Sequence, residues 1–136
     1  MGPIQICPMS KLGKLLVATD RSVFSEGAVR EAINFAKKCS SRVYVVSVLE
    51  TNPEYETVGA NVEKVMETAQ KEGISVEALT PIGKPHEVIV EIAGGRGVDL
   101  IVMGTYGKTG LKKFLMGSAT EKVIGHAGCA VLTVGM

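Results

Sequence analysis

"VDLIVMG", residues 98–104, is a short and nearly continuous apolar run that leads directly into glycine-rich sequence. Continuous rather than alternating apolar patterning is typical of a strand buried on both faces, as in a parallel sheet. Comparable runs recur at residues 14–20, 42–50 and 129–135. A weaker run at residues 75–83 contains Glu77 and Pro81, which an edge strand tolerates. The sequence therefore predicts five strands.

Between these runs, apolar residues recur at spacings of three and four, as in helices that bury one face. The predicted inner faces are Val29, Ala32, Ile33 and Ala36; Val62, Val65, Met66 and Ala69; Val88, Ile89, Ile92 and Ala93; and Ala119, Val123 and Ile124. Pro85 suits the first turn of the third helix, where its missing N–H costs nothing. The alternation predicts one α/β domain with a five-stranded parallel sheet, helices on both faces and right-handed crossovers. We expect the strand order 3-2-1-4-5, with residues 1–13 as an N-terminal extension and residues 14–136 as the domain.

Composition and charge exclude several classes of protein. The net charge of +1 argues against a global attraction to nucleic acid or to an anionic membrane. No apolar stretch approaches the roughly 20 residues that a bilayer span requires. Cys7, Cys39 and Cys129 form no CxxC pair, so we expect free thiols in a reducing cytosol. The sequence thus predicts a cytoplasmic protein that binds neither nucleic acid nor membrane.

Two familiar phosphate-binding motifs are absent from this α/β pattern. A Walker A loop ending in Gly107-Lys108-Thr109 would need glycine where Val102 stands. A dinucleotide fingerprint fails because the turn after the first strand has no glycine, and because Leu100 replaces the third glycine of the later candidate. Any ligand site is still expected beyond the carboxyl ends of the first and fourth strands, where the strand order reverses.

The remaining glycine pattern in this crevice is G-x2-G-x9-G-S, formed by Gly104, Gly107, Gly117 and Ser118. Glycine lets the backbone approach a ligand closely, and a helix beginning at Gly117 and Ser118 would turn free N–H groups and its dipole towards an anion. Lys108, Lys112 and Lys113 add local positive charge. Ser118 as a simple helix cap, within a plain mobile loop, is the alternative that the residues leave open.

This spacing resembles the nucleotide-binding branch of the universal stress protein family. The resemblance extends from about residue 14 to the end and includes LLVATDRS at residues 15–22 and GKPHEVIVEIA at residues 83–93. It implies a Rossmann-like, adenine-nucleotide α-hydrolase-like fold that holds ATP with Mg²⁺ or Mn²⁺ in the crevice. Residues 51–61 are shorter than the corresponding connection in the longest family members, so a lid or partner surface there would be reduced.

The resemblance also assigns particular positions to the nucleotide. They are Ala18, Thr19, Asp20, Val48, Met103, Gly104, Gly107, Gly117, Ser118 and Ala119. The resemblance implies that the first two line the base and ribose, while Asp20 lies near the phosphates and their divalent cation. Val48 would contact adenine through its backbone, residues 103 and 104 would approach the ribose, and the last four would contact phosphate. From the residues alone, Asp20 also fits a helix cap and Val48 an ordinary core position.

Enzymatic turnover is not indicated by the motif. No Asp, Glu, His or Gln lies between Gly104 and Ser118 to orient a water molecule, and His86 and His126 are expected near helix ends. We therefore expect an ATP-binding, stress-responsive regulatory module with little intrinsic hydrolysis. The open alternatives are a nucleotide-free dimeric interaction module and a slow ATPase or adenylyl-transferring enzyme.

The last apolar run, residues 129–135, is expected at an edge of the sheet, where open backbone groups are a liability. A homodimer that pairs this strand with its own copy would cover the edge, as is common in the family. An edge ended by the chain terminus is the alternative. The family's role also implies a protein partner, which the residues do not identify.

Overall fold

The computed structural model describes residues 7, 12–19, 23–49, 55–105 and 118–135. Strands and helices alternate along the chain as predicted. They are β1 Lys14–Ala18, α1 Val23–Cys39, β2 Arg42–Val46, α2 Tyr55–Lys71, β3 Val76–Leu79, α3 Pro85–Gly95, β4 Leu100–Gly104, α4 Ser118–His126 and β5 Ala130–Val134. Within these residues, none of the helices combines the length and the apolar character of a membrane span.

All five strands form one parallel sheet in the order β3-β2-β1-β4-β5, which confirms the predicted order and places β3 and β5 at the edges. The regular strands are shorter than the apolar runs. The run at 42–50, for example, leaves the regular ladder after Val46, and only an isolated bridge joins Leu49 to Ile82 beyond β3.

Two apolar cores cover the two faces of the sheet. In β1, Leu15 and Val17 pack towards α1 and α2, whereas Leu16 packs towards α3 and α4. The predicted inner faces of the first two helices are confirmed, and that of the third is confirmed except at Val88, which borders a cavity beside β3. The buried members are Ala32, Ala36, Val62, Ala69, Ile89 and Ala93. Pro85 lies in the first turn of α3, as predicted. In such a three-layer arrangement, ligands are expected at the carboxyl ends of the central strands.

The inner face of α4 differs from the prediction. Val123 is fully buried, but Ile124 is 45% exposed, and its expected place in the core is taken by the hydroxyl-bearing Thr120. The Thr120 Oγ1 donates a hydrogen bond to the carbonyl oxygen of Gly104, at 3.0 Å. Together with the burial of Val123, this contact places the inner face of α4 at Thr120 and Val123.

The cysteine prediction was wrong for two of the three thiols. Cys7 and Cys39 form a disulfide, although 32 positions separate them in the sequence. Because α1 runs back across the sheet, its last residue, Cys39, returns to the end of the sheet at which β1 starts. Cys129 is free, as expected.

Polar contacts fix the start of β1 at this same end of the sheet. Leu12 is buried, and its carbonyl oxygen accepts a hydrogen bond from the hydroxyl of Ser41 at 2.5 Å. The Asp99 carboxylate accepts two hydrogen bonds, from the main-chain N–H groups of Gly13 and Lys14. Residues before 14 therefore contribute to the core, and the boundary of the domain between residues 13 and 14 stays a prediction.

Glu77 in the edge strand β3 is balanced by two arginines. Its two carboxylate oxygens lie 3.0 Å from Nη2 of Arg42 and 2.9 Å from Nη1 of Arg96. Both guanidinium groups also lie over the ring of Tyr44, at 5.5 and 5.1 Å from its centroid. These contacts explain how a charged residue is accommodated in the edge strand, beside the Tyr44 ring on the face of the sheet that α3 and α4 cover.

Candidate functional site

The carboxyl ends of β1 and β4 separate at the point where the strand order reverses. The ladder between these two strands runs only as far as the pair Val17 and Val102. Each strand continues pairing on its outer side, where the N–H of Thr19 donates to Val46 and the N–H of Thr105 donates to Val134. The divergence opens a crevice of the kind in which α/β sheets bind their ligands.

The carbonyl group of Gly104 points into this crevice. Successive residues of a parallel strand direct their backbone groups to opposite sides, and Thr105 bonds towards β5, so Gly104 faces the β1 side. The strand β1 offers no ladder partner at this level. The hydroxyl of Thr120 supplies the missing hydrogen bond and so links the end of β4 to the first turn of α4.

The backbone of Val48 also faces the crevice. The N–H groups of Ser47 and Leu49 donate towards the β3 side, to Leu79 and Pro81, so the intervening Val48 directs its backbone groups towards the end of β1. Within the described part of the chain, no hydrogen bond involves these groups. The Val48 side chain is half-buried against the α3/α4 core, so this residue combines core packing with backbone groups that bond to no other described residue.

The loops after β2 and β3 support each other beside the crevice. Leu49 bonds in both directions, through its N–H to Pro81 and through its carbonyl oxygen to the N–H of Gly83. Gly83 has a φ of +151°, and a Cβ atom added there would lie 2.8 Å from Cγ2 of Val88. Only glycine fits this turn without strain, and the sequence analysis assigned it no role.

The first turn of α4 presents main-chain N–H groups at the same edge. Ser118 is exposed and Ala119 half-buried. The Ser118 hydroxyl makes no hydrogen bond to any other described residue. Glu121, three positions later, is exposed in the same turn, where a carboxylate stabilises the helix dipole. The turn can therefore donate to an anion, but Glu121 opposes that anion electrostatically.

Most of the predicted nucleotide positions lie at the end of the sheet where the carboxyl ends of the strands meet. Ala18, Val48 and Met103 pack against the α3/α4 core near the strand ends, while Thr19 and Gly104 are buried beside them. Asp20, Gly107 and Gly117 lie outside the described residues. Thr120, which the sequence analysis left unassigned, also belongs to this group, and its position two residues after Ser118 was the available signal.

Metal-ligating side chains in the described ranges do not form a cluster. No group of three His, Cys, Asp or Glu side chains there could hold a metal ion. His86 lies in the first turn of α3, and His126 ends α4 with its Nδ1 at 2.7 Å from the carbonyl oxygen of Lys122. Both positions agree with the predicted helix ends.

Two cavities in the described residues lie away from the crevice. One, of about 480 Å³, is at the opposite edge of the sheet and is lined by Ser40, Arg42 and Gly73 among others. The second, of about 610 Å³, is bounded by Ile82, Val88 and Arg96 beside β3. Neither brings together the groups that converge at the switch point, so the crevice remains the candidate site.

Comparison with known proteins agrees with this geometry. The sequence profile of the universal stress protein family matches residues 11–135. The chain belongs to the universal stress protein family. The protein MJ0531 of Methanocaldococcus jannaschii, a universal stress protein, is 36% identical over 137 residues, which cover 89% of this chain and 81% of that protein. The resemblance inferred from the sequence is therefore confirmed.

Solved structures share the whole fold. MJ0577 of Methanocaldococcus jannaschii superposes with a TM-score of 0.87 at 32% identity, covering 92% of this chain and 96% of that one. A universal stress protein solved in complex with cAMP superposes with a TM-score of 0.76 at 25% identity, covering 93% and 98% of the two chains. The likeness to MJ0577 agrees with the branch of the family that the glycine motif indicates.

Proposed function

We propose that this universal stress protein is an ATP-binding regulatory module with little intrinsic hydrolysis. The observation that carries the proposal is the crevice itself, where β1 and β4 diverge, the backbone of Val48 bonds to no described residue and α4 begins. A backbone donor and acceptor can recognise the edge of an adenine ring, and helix N–H groups suit phosphate. The relative solved with cAMP supports an adenine nucleotide as the ligand class.

In this proposal, the two ends of the crevice have different tasks. Ala18, Thr19 and Val48 hold the base, and Met103 and Gly104 lie against the ribose. Phosphate is held by residues 107 and 117–119. A divalent cation, Mg²⁺ or Mn²⁺, is held beside Asp20 and offsets the repulsion between Glu121 and the phosphates.

Nucleotide content and affinity test the proposal. Acid extraction of the freshly purified protein, followed by mass spectrometry, should release an adenine nucleotide, and calorimetry on stripped protein should show binding of Mg-ATP. Gly117→Val should abolish binding. Gly128→Val is the matched control, because Gly128 lies beyond the other end of α4 and a Cβ there meets nothing within 4 Å.

The outcomes separate the candidate functions. Absence of both bound nucleotide and measurable affinity would make the chain a nucleotide-free interaction module. Binding accompanied by unaided turnover of about 1 s⁻¹ or faster would make it an enzyme. Binding with negligible phosphate release is the result expected for a regulatory module that a partner protein reads.

We also propose a homodimer through the edge strand β5. The backbone of Val134 bonds to β4, so the neighbouring Thr133 directs its N–H outwards, to the position that a second copy would occupy. Thr133→Pro should leave the ladder to β4 intact, remove this donor and shift the protein to monomer on a sizing column. Leu132→Lys is a poorer test, because Leu132 packs against the core. A dimer unchanged in Thr133→Pro would exclude this strand from the interface.

We propose a cytoplasmic location, as the composition predicts. The Cys7–Cys39 disulfide is the observation that weighs against it, since disulfides seldom persist in a reducing cytosol. Acid quenching of the cells that naturally produce the protein, followed by alkylation, tests the location, and a predominantly reduced pair would support the cytoplasm. A predominantly oxidised pair would argue for a different compartment.

A further inference from the structure

We infer that Thr120 is a positioning residue for the nucleotide, because its hydroxyl holds the first turn of α4 at the end of β4. This inference rests on the proposed function and extends it to a residue that does not touch the ligand. Thr120 is 4% exposed, so its side chain is directed into the protein and has no access to a nucleotide in the crevice.

The hydrogen bond of Thr120 reaches outside its own helix, because Thr120 is the third residue of α4 and no residue of α4 lies four positions earlier. Threonine hydroxyls further inside a helix commonly bond to the carbonyl group four residues earlier. Thr68 in α2 does so, donating to Lys64 at 3.0 Å on the exposed surface. Thr120 instead donates to Gly104, which lies 16 positions earlier and in a different element.

The acceptor makes this contact specific to the crevice. Gly104 is the residue whose carbonyl group is left without a strand partner where β1 and β4 diverge. The hydroxyl of Thr120 therefore satisfies a buried acceptor and, in the same contact, fixes the distance between the two ends of the glycine motif. Ser118 and Ala119 lie immediately before Thr120, so their N–H groups take their positions from it.

Precise placement of binding groups increases affinity, because a preformed site avoids the loss of conformational entropy when its groups become ordered on binding. Loss of the partners that orient the ligands of a metal typically costs roughly 10–100-fold in affinity. By the same reasoning, we expect the Kd for ATP to rise about tenfold or more when the Thr120 hydroxyl is removed.

The test compares ATP binding with stability in matched variants. Thr120→Val removes the hydroxyl at nearly constant shape, and Thr120→Ser retains it. Ser41→Ala is the control, because Ser41 makes the equivalent buried hydroxyl-to-carbonyl hydrogen bond at the opposite edge of the sheet. Calorimetry with Mg-ATP is performed at a temperature at which unfolding curves show each variant to be folded.

We expect Thr120→Val to bind Mg-ATP at least about tenfold more weakly than the unaltered chain, by analogy with the loss of residues that orient metal ligands. Thr120→Ser and Ser41→Ala should bind like the unaltered chain. Equal affinity in Thr120→Val and the unaltered chain would overturn the inference and leave the proposed function intact. Absence of ATP binding by the unaltered chain would overturn the proposed function and the inference with it. If Thr120→Val does not fold, Thr120→Ala, which removes the hydroxyl without adding a methyl group beside the acceptor, decides by the same criterion.

Discussion

The disulfide between Cys7 and Cys39 should be a major contribution to the stability of the fold. It closes a loop with a sequence separation of 32, which contains β1 and almost all of α1. The loss of chain entropy in the unfolded state on closing such a loop corresponds to roughly 3–4 kcal/mol. For a chain of this length, removal of the cross-link should lower the melting temperature by roughly 10–15 °C.

The perturbation is the double variant Cys7→Ser with Cys39→Ser, which leaves no odd thiol to pair between molecules. Urea unfolding gives its free energy of unfolding beside that of the oxidised protein, and reductant should bring the unaltered chain towards the variant. Cys129→Ser is the control, because Cys129 is free and takes no part in the cross-link. The redox state is checked before the urea experiment. Alkylation of a sample that is denatured but not reduced should label Cys129 alone.

Two results would refute this reasoning. A difference in the free energy of unfolding below about 1 kcal/mol would mean that the closed loop retains its order in the unfolded state, so that the entropic estimate does not apply. Labelling of all three cysteines without reductant, in protein prepared without reducing agents, would mean that the pair does not form.

Gly83→Ala should lower the free energy of unfolding by roughly 1–3 kcal/mol, because alanine is strained at a φ of +151° and its Cβ would lie 2.8 Å from Val88. Gly94→Ala, within α3 and with nothing within 4 Å of the new Cβ, should instead raise it by up to about 1 kcal/mol, and equal effects of the two in urea unfolding would contradict this account. Burial, together with the nearby Asp99 carboxylate, raises the pKa of the Cys129 thiol, so iodoacetamide should label native protein more slowly than unfolded protein at mildly alkaline pH. Because the native pKa is the higher one, the thiol costs no stability below its ordinary pKa, and stability should fall as pH rises through that value towards the raised one. Cys129→Ser should lose this part of the pH dependence, and an unchanged pH profile would assign it to other groups.

The fold followed from the sequence because its signals are local and repeated. Runs such as residues 98–104 are apolar at every position except Asp99, and short continuous runs of this kind are typical of strands covered on both faces. The inner faces of α1 to α3 followed from helical spacing for the same reason. The position of the candidate site also followed, since the order of strands fixes where a parallel sheet opens and the glycine spacing places Gly104 and Ser118 there.

Other features depend on distances between segments that are remote in the sequence, and only the tertiary structure decided them. Hydrophobicity favoured Ile124 as an inner residue of α4, but Thr120 is the buried one, and its hydroxyl bonds to the carbonyl group of Gly104, which has no partner in β1. The pairing of Cys7 with Cys39 required α1 to return to the edge where β1 starts. In each case a partner supplied by another element outweighed the local pattern. For the cysteines this partner is covalent. For Thr120 it is polar, and a buried acceptor left without its hydrogen bond costs more free energy than one exposed isoleucine.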